Sequence, residues 1–271
     1  MEDSFRVNNI YNFIDNYLPG DAFELLKKYY GPRFLLSDFL ESIGSNFAEN
    51  EDIFLTTQLG NKDNYLASLA DRYGSDKGTK FESFSKHPWP SHNYSLIYES
   101  IFHDIKENVN SLFEMGIGTI DSTKVSNMTS QGFPGASLLM WRDYFPNARI
   151  IGGDIDEKCM IVAERIETFV VDQTNTNSLI SMFEKITVPS FDVFIDDGLH
   201  TFEAGKTLFE VAWEHLNING YYIIEDIIQT DLDLYYNYFK DRDLSVRIIS
   251  GFRPNIPLFD NSLIIIRKLN V

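Results

Sequence analysis

Cysteine is almost missing from this chain. Cys159 stands alone, which excludes an internal disulfide and a thiolate metal centre and leaves that residue as a small apolar filler rather than a nucleophile. Basic residues are scarce as well: 23 Lys and Arg against 40 Asp and Glu give a net charge of −17. A polyanion such as nucleic acid is therefore excluded as the main partner. No apolar run approaches the roughly eighteen residues that a membrane span needs, and the first sixteen residues are acidic and amphipathic, unlike a basic-then-apolar secretory leader. These absences lead us to expect a cytoplasmic protein with no membrane span. Internal repeats and low-complexity tracts are lacking too.

What is present suffices for a full-sized core: 271 residues, 44% hydrophobic and 23% charged. Residues 1–70 read as a helical N-terminal extension without glycine-rich or acid clusters. Ile10, Phe13, Ile14 and Tyr17 recur at helical spacing before Pro19-Gly20, and Asp21 can cap a second helix through Leu25, Leu26 and Tyr29 that Gly31-Pro32 ends. Such a segment serves as a lid or as an oligomerisation element through which the chain forms a homo-oligomer.

From Leu112 strand-length apolar runs alternate with helical stretches, the pattern of a parallel sheet covered on both faces. Strands are expected at 111–116, 149–154, 168–171, 191–196, 219–225, 245–250 and 262–268, and helices at 135–145, 157–165, 176–186, 202–216 and 231–240. The fold class is α/β, a seven-stranded Rossmann-like doubly wound sheet over residues 71–271 with the helical extension in front.

In such sheets ligands bind outside the carboxyl ends of the strands, and here nearly every strand ends in acid. Asp196-Asp197-Gly198-Leu199-His200 follows one apolar run and Glu225-Asp226 another, so that carboxylates and a histidine can meet in one crevice and hold a metal ion or a hydroxyl group. Glu114-Met115-Gly116-Ile117-Gly118 allows a tight turn and a close backbone approach to a ligand. It lacks the third glycine of a dinucleotide fingerprint and the lysine of a P-loop. Asp154 is placed to accept both ribose hydroxyls of an adenosine-containing ligand, and Asp172-Gln173 to meet its adenine amino group.

The joint order of Glu114–Gly118, Ser126-Asn127-Met128, Pro134-Gly135-Ala136-Ser137-Leu138, Trp141–Pro146, Gly153-Asp154-Ile155-Asp156, Val171-Asp172-Gln173, Asp196–His200 and Ile224-Glu225-Asp226 resembles the class I S-adenosylmethionine-dependent methyltransferases. Within them it is similar to the sugar, capsule and macrolide-glycoside O-methyltransferases of mycinamicin and macrocin type, over about 73–267. The resemblance implies that Glu114, Gly116 and Gly118 line the methionine part of the cofactor, Asp154 the ribose and Asp172 the adenine, with Gln173 beside it; Asp196 reads as a strand-end carboxylate that caps the next helix or orders the cofactor loop. Arg72–Gly78 with His92-Asn93-Tyr94 and Tyr98 resembles the family's entry segment, expected to fold over cofactor or acceptor and to bring Tyr73 and Lys77 there.

Methyl transfer to a hydroxyl needs the acceptor positioned and its proton removed, while the cofactor supplies the reactivity. Asp197, Glu225 and Asp226 offer the hard oxygen ligands that Mg²⁺ prefers, and His200 a base; the resemblance implies these same roles. His87, His92, His103 and His215 stand outside the acid clusters, His215 as a structural residue. The polar stretch 119–133 overhangs the cofactor as a lid or acceptor wall, and 251–261 adds Phe252 and Arg253. Arg253 or Lys77 could clamp an acceptor phosphate.

The expected activity is S-adenosylmethionine-dependent O-methylation of a sugar or sugar-like hydroxyl, on a small molecule, a sugar nucleotide or a glycan, with Mg²⁺ and a His200 base. The alternatives are N-methylation of an amine or aminoalkyl phosphate in capsule decoration, and a non-catalytic interaction module on a methyltransferase scaffold. The missing glycine disfavours a nicotinamide dehydrogenase.

Overall fold

Every position of Ser111–Met115 is buried, as a strand with helices on both faces requires, and the other apolar runs line up beside it. The computed structural model describes residues 54–58, 64–79, 89–252 and 260–270. The helices expected within 10–29, together with His87 and Arg253, lie outside the described residues.

The strands are β1 (Phe54–Gln58), β2 (Ser111–Met115), β3 (Arg149–Asp154), β4 (Ile166–Val170), β5 (Phe191–Asp196), β6 (Leu216–Ile224), β7 (Ser245–Phe252) and β8 (Ser262–Arg267). They form one sheet in the order β1-β7-β8-β6-β5-β2-β3-β4. All neighbours are parallel except β8, which runs antiparallel to β6 and β7. The helices are α1 (Tyr65–Tyr73), α2 (Tyr94–Phe102), α3 (Ala136–Tyr144), α4 (Thr176–Phe183), α5 (Phe202–Ala212) and α6 (Gln229–Phe239).

Alternation along the strands divides the core into two layers. Leu112, Ile150, Ile195, Ile223 and Ile265 pack with Leu66, Tyr98, Leu138 and Trp141 from α1, α2 and α3. Their neighbours Phe113, Ile151, Phe194, Tyr222, Ile224 and Ile264 pack with Leu179, Leu208, Phe209 and Phe239 from α4, α5 and α6. Strand order reverses at β2, which has β3 on one side and β5 on the other. The crevice at the carboxyl ends of these strands is where the fold admits a ligand.

All seven expected strands form. An eighth, β1, lies inside the stretch read as helical, pairing Phe54 with Ile248 at the sheet edge; the Phe-Leu-Thr-Thr run favours a strand locally. The division at residue 70 falls within α1, whose Leu66, Leu69 and Ala70 are buried in the core layer of α3. The helix expected at 157–165 is a single 3-10 turn, Glu157–Cys159. There the Asp156 carboxylate accepts from Lys158 N, and Arg165 then turns the chain into β4 with φ of 61°. The helix expected to reach 216 ends at Ala212; a 3-10 turn, Trp213–His215, follows, and the His215 ring stacks on Phe183 with centroids 4.3 Å apart. Among the described residues no helix is long and apolar enough to cross a membrane.

Candidate active site

The glycine loop leaves β2 at the strand-order switch. Gly116 and Gly118 have φ of 82° and 89°, a region that side chains disfavour. A Cβ on Gly116 would lie 1.9 Å from the carbonyl oxygen of Asp197, so the glycine lets the β2 and β5 ends close on each other. Asp154 at the end of β3 fixes the loop, its Oδ2 accepting from Ile117 N and its Oδ1 from Asp156 N, each at 2.9 Å. Burial nevertheless raises its pKa.

Glu114 is fully buried. Its Oε2 accepts from Ser137 Oγ at 2.7 Å, at the start of α3, whereas Oε1 makes no hydrogen bond and faces Lys77 Nζ at 3.6 Å. Burial pushes its pKa up to about 7, against the opposing charge of Lys77.

Asp172 is half-buried and its Oδ1 accepts from Thr174 N and Oγ1, at 2.9 and 2.6 Å. Gln173, expected at the adenine, uses both ends of its amide on the protein. Nε2 donates to Asp196 Oδ1 at 2.7 Å and Oε1 accepts from Leu199 N at 2.9 Å, so the residue ties the β4 end to the β5 loop. Asp196 is buried with Oδ2 unpartnered, and burial lifts its pKa to about 6.

On the other side of β2 the acid clusters meet. His200 and Asp226 both adopt left-handed backbone, φ 58° and 52°, strain of the kind that collects at functional sites. His200 Nε2 lies 3.2 Å from Asp197 Oδ1 and 3.9 Å from Asp226 Oδ2. One ligand atom from each of Asp197, His200 and Asp226 falls within 4.8 Å of the others, a spacing that suits a metal ion. Glu225, expected as a ligand, turns away: its Oε1 accepts from the Tyr98 hydroxyl and its Oε2 from Lys77 Nζ at 2.5 Å. The ligand atoms that gather thus include His200 in place of Glu225.

Lys77 follows α1 and is 2% exposed, with Nζ 2.6 Å from Asp197 Oδ2. It is the buried counter-charge of the acid cluster rather than a phosphate clamp. Burial opposes its charge, but Asp197, Glu225 and Glu114 together raise its pKa well above the ordinary value. Burial would raise the Asp197 carboxyl; Lys77 and His200 outweigh it and hold it at about 2. His200 is likewise disfavoured as a cation by burial, yet Asp197 and Asp226 lift it to about 10, which makes it an imidazolium at neutral pH.

Two further expectations are revised. Tyr73 hydrogen-bonds Asp143 and Arg142 at the far end of α3, about 9 Å along the helix from Ser137 at 1.5 Å per residue, so it braces α1 on α3 and does not reach the glycine loop. His92 is not apart from the acids: its Nδ1 lies 3.4 Å from Asp226 Oδ1 and 3.1 Å from Asn261 Oδ1. Tyr94 donates to Asp226 Oδ1 at 2.8 Å. Tyr94 and Tyr98 stand one helical turn apart, and the resemblance of their segment to an entry segment already places both near the site. Ser137 and Asn261 carried no such signal. The 119–133 loop is pinned at its base, by Met128 N to Thr119 O at 2.7 Å and Thr119 Oγ1 to Asp156 Oδ2 at 2.6 Å, and exposes Val125.

No family model matches the chain. Over 162 residues it is 32% identical to 8-demethyl-8-alpha-L-rhamnosyl tetracenomycin-C 2'-O-methyltransferase of Streptomyces olivaceus, a match covering 60% of this chain and 37% of that one. The chain is similar to glycoside O-methyltransferases. Demethylmacrocin O-methyltransferase of Streptomyces fradiae is 29% identical over 162 residues, 60% of this chain and 36% of that one. Mycinamicin VI 2''-O-methyltransferase of Micromonospora griseorubida is 28% identical over the same shares. Among solved structures, the MycE methyltransferase from the mycinamycin pathway, in complex with Mg and SAH, is 27% identical with a TM-score of 0.47, over 67% of this chain and 40% of that one. The motif resemblance to macrolide-glycoside O-methyltransferases is borne out, and the chain spans just over a third of the length of the curated relatives it matches.

Proposed function

We propose that this chain is an S-adenosylmethionine-dependent O-methyltransferase whose acceptor is a sugar hydroxyl of a glycosylated small molecule, with Mg²⁺ assisting. The observation that carries this reading is the meeting of Asp197, His200 and Asp226 beside the glycine loop and Glu114. The similarity to O-methyltransferases of rhamnosyl tetracenomycin and macrocin supports the acceptor class and favours it over a capsule sugar.

The residues fit both groups. Glu114 Oε1 is a buried carboxylate oxygen without a hydrogen bond, suited to the ammonium of the methionine part. Each Asp154 oxygen accepts one backbone N–H and retains a lone-pair site for a ribose hydroxyl, with Asp172 near the adenine. The carboxylates of Asp197 and Asp226 are the hard oxygen ligands that suit Mg²⁺, Glu225 could join them only by releasing Lys77, and His200 stands beside them as the base. When bound, Mg²⁺ lowers the pKa of the acceptor hydroxyl.

The chain's own residues divide the remaining work. Asp197 and Asp226 orient the acceptor hydroxyl, and His200 Nε2 takes its proton. That nitrogen is free only once positive charge on Asp197 and Asp226 offsets the carboxylates that hold it protonated. The 119–133 loop closes over cofactor or acceptor, and the residues ahead of β1 act as lid or oligomer contact in a cytoplasmic enzyme that takes no nucleic acid.

Calorimetry with S-adenosylmethionine, followed by methyl-transfer assays on neutral and amino glycosides with Mg²⁺ or excess EDTA, tests the reading. Cofactor binding, transfer to the neutral glycoside and loss of transfer in EDTA are expected. Absence of cofactor binding would overturn it in favour of an interaction module.

A further inference from the structure

The buried ammonium of Lys77 lies against the carboxylates that would receive a divalent ion. Its Nζ is 2.6 Å from Asp197 Oδ2 and 2.5 Å from Glu225 Oε2, and 3.6 Å away stands Glu114 Oε1, which has no hydrogen bond. The backbone around it is fixed: Lys77 O accepts from Ser95 N at 2.9 Å, Asp76 O from His92 N at 2.8 Å and Gly78 O from Asn93 N at 3.0 Å. The loop is thereby zipped to the start of α2, and only the lysine's flexible stem is left to move. A buried carboxylate cluster is tolerable only when compensated by positive charge. An ion seated between Asp197 and Asp226 would stand beside this ammonium, and the two cations repel each other.

We propose that Lys77 is a built-in competitor of the divalent ion: it compensates Asp197 and Glu225 in the ion-free protein, and ion entry pushes its ammonium away from them. The inference rests on the proposed function only in taking Asp197 and Asp226 as the point of entry. It makes Lys77 a positioning residue that sets ion affinity and frees Glu225 to turn towards the ion. Without the ammonium, the carboxylates present uncompensated negative charge to any cation that enters.

The test is Mn²⁺ titration, by calorimetry and electron paramagnetic resonance, of the full chain and of Lys77→Met, Lys77→Gln and Lys77→Arg, with the melting temperature of each recorded with and without the ion. The two neutral variants are expected to bind Mn²⁺ about tenfold or more tightly than the parent, because a unit charge in contact with the ligands is removed. They should melt lower without ion and recover with it. Lys77→Arg retains the charge and should bind Mn²⁺ like the parent. Because Lys77→Gln keeps a hydrogen-bond donor for the buried carboxylates, it keeps the test intact if Lys77→Met does not fold. Mn²⁺ affinity equal to or weaker than the parent's in the neutral variants would overturn the proposal, since a merely structural lysine would lower the melting temperature and leave affinity alone. Binding in the variants but not in the parent supports the competition while counting against an ion in the reaction; binding in none overturns it. S-adenosylhomocysteine titration of the parent separately tests the methyltransferase reading.

Discussion

His200 and Gly116 make opposite kinds of demand on the site, one chemical and one steric. The His200 ring meets carboxylates on both sides, and nothing in the core depends on it, since it is partly exposed. His200→Ala should therefore leave the fold and S-adenosylhomocysteine affinity intact, lower stability at neutral pH by the lost ion pairs with Asp197 and Asp226, and slow methyl transfer by about 10²–10⁴-fold, the usual worth of a positioned base; a melting curve, a binding isotherm and a rate separate these effects. Gly116→Ala should do the reverse. Its Cβ would meet the Asp197 carbonyl at 1.9 Å in a backbone region with positive φ, so a loss of about 2–4 kcal/mol in stability is expected, measurable by urea unfolding. Since the clash pushes the β2 and β5 ends apart, weakened cofactor binding should accompany it.

At the level of elements, α1 offers a direct contrast with what its sequence suggested. Tyr73 was expected at the cofactor but braces α1 against α3 through Asp143 and Arg142. Tyr73→Phe should accordingly cost about 1 kcal/mol of stability, the net worth of one such hydrogen bond, and leave cofactor affinity alone; a tenfold loss of affinity in calorimetry would restore the original assignment. The reason for the misplacement is general. The strands β2, β3, β5 and β8 were legible because each is a short run whose alternate residues enter two core layers, and the carboxylates at their ends follow from the sheet. Pairings between a loop and distant strand ends have no such period. Lys77 with Asp197 and Glu225, or His92 and Tyr94 with Asp226, join residues remote in sequence, and no local spacing announces them. Local pairing hid other features: the helix expected over 157–165 ends after one turn, where Met160 becomes extended and Ala163 bridges Ile166, and β1 pairs with β7 at the sheet edge.

For the whole molecule, the site's acids should be visible in the dependence of stability on pH. Glu114 and Asp196 are fully buried, and burial raises their folded pKa values to about 7 and about 6, above the roughly 4 of an unfolded carboxyl. A carboxyl whose folded pKa is raised contributes its stability below the unfolded pKa and loses it as pH rises through the folded one. His200, lifted to about 10, works in the same direction over a higher range, whereas Asp197, held at about 2, favours the folded state at all but acid pH. Between pH 8 and 5 Glu114, Asp196, Asp226 and His200 all change in this direction. The ligand-free protein should therefore gain stability as pH falls through 7 and 6, by an amount on the order of a few kcal/mol, which corresponds to a rise of several degrees in melting temperature for a domain of this size. Calorimetric scans at half-unit intervals check the sign; a melting temperature that fell steadily from pH 8 to 5 would contradict it. Saturation with S-adenosylmethionine should flatten the curve, because an ammonium against Glu114 favours its ionised form and brings its folded pKa back towards the unfolded value.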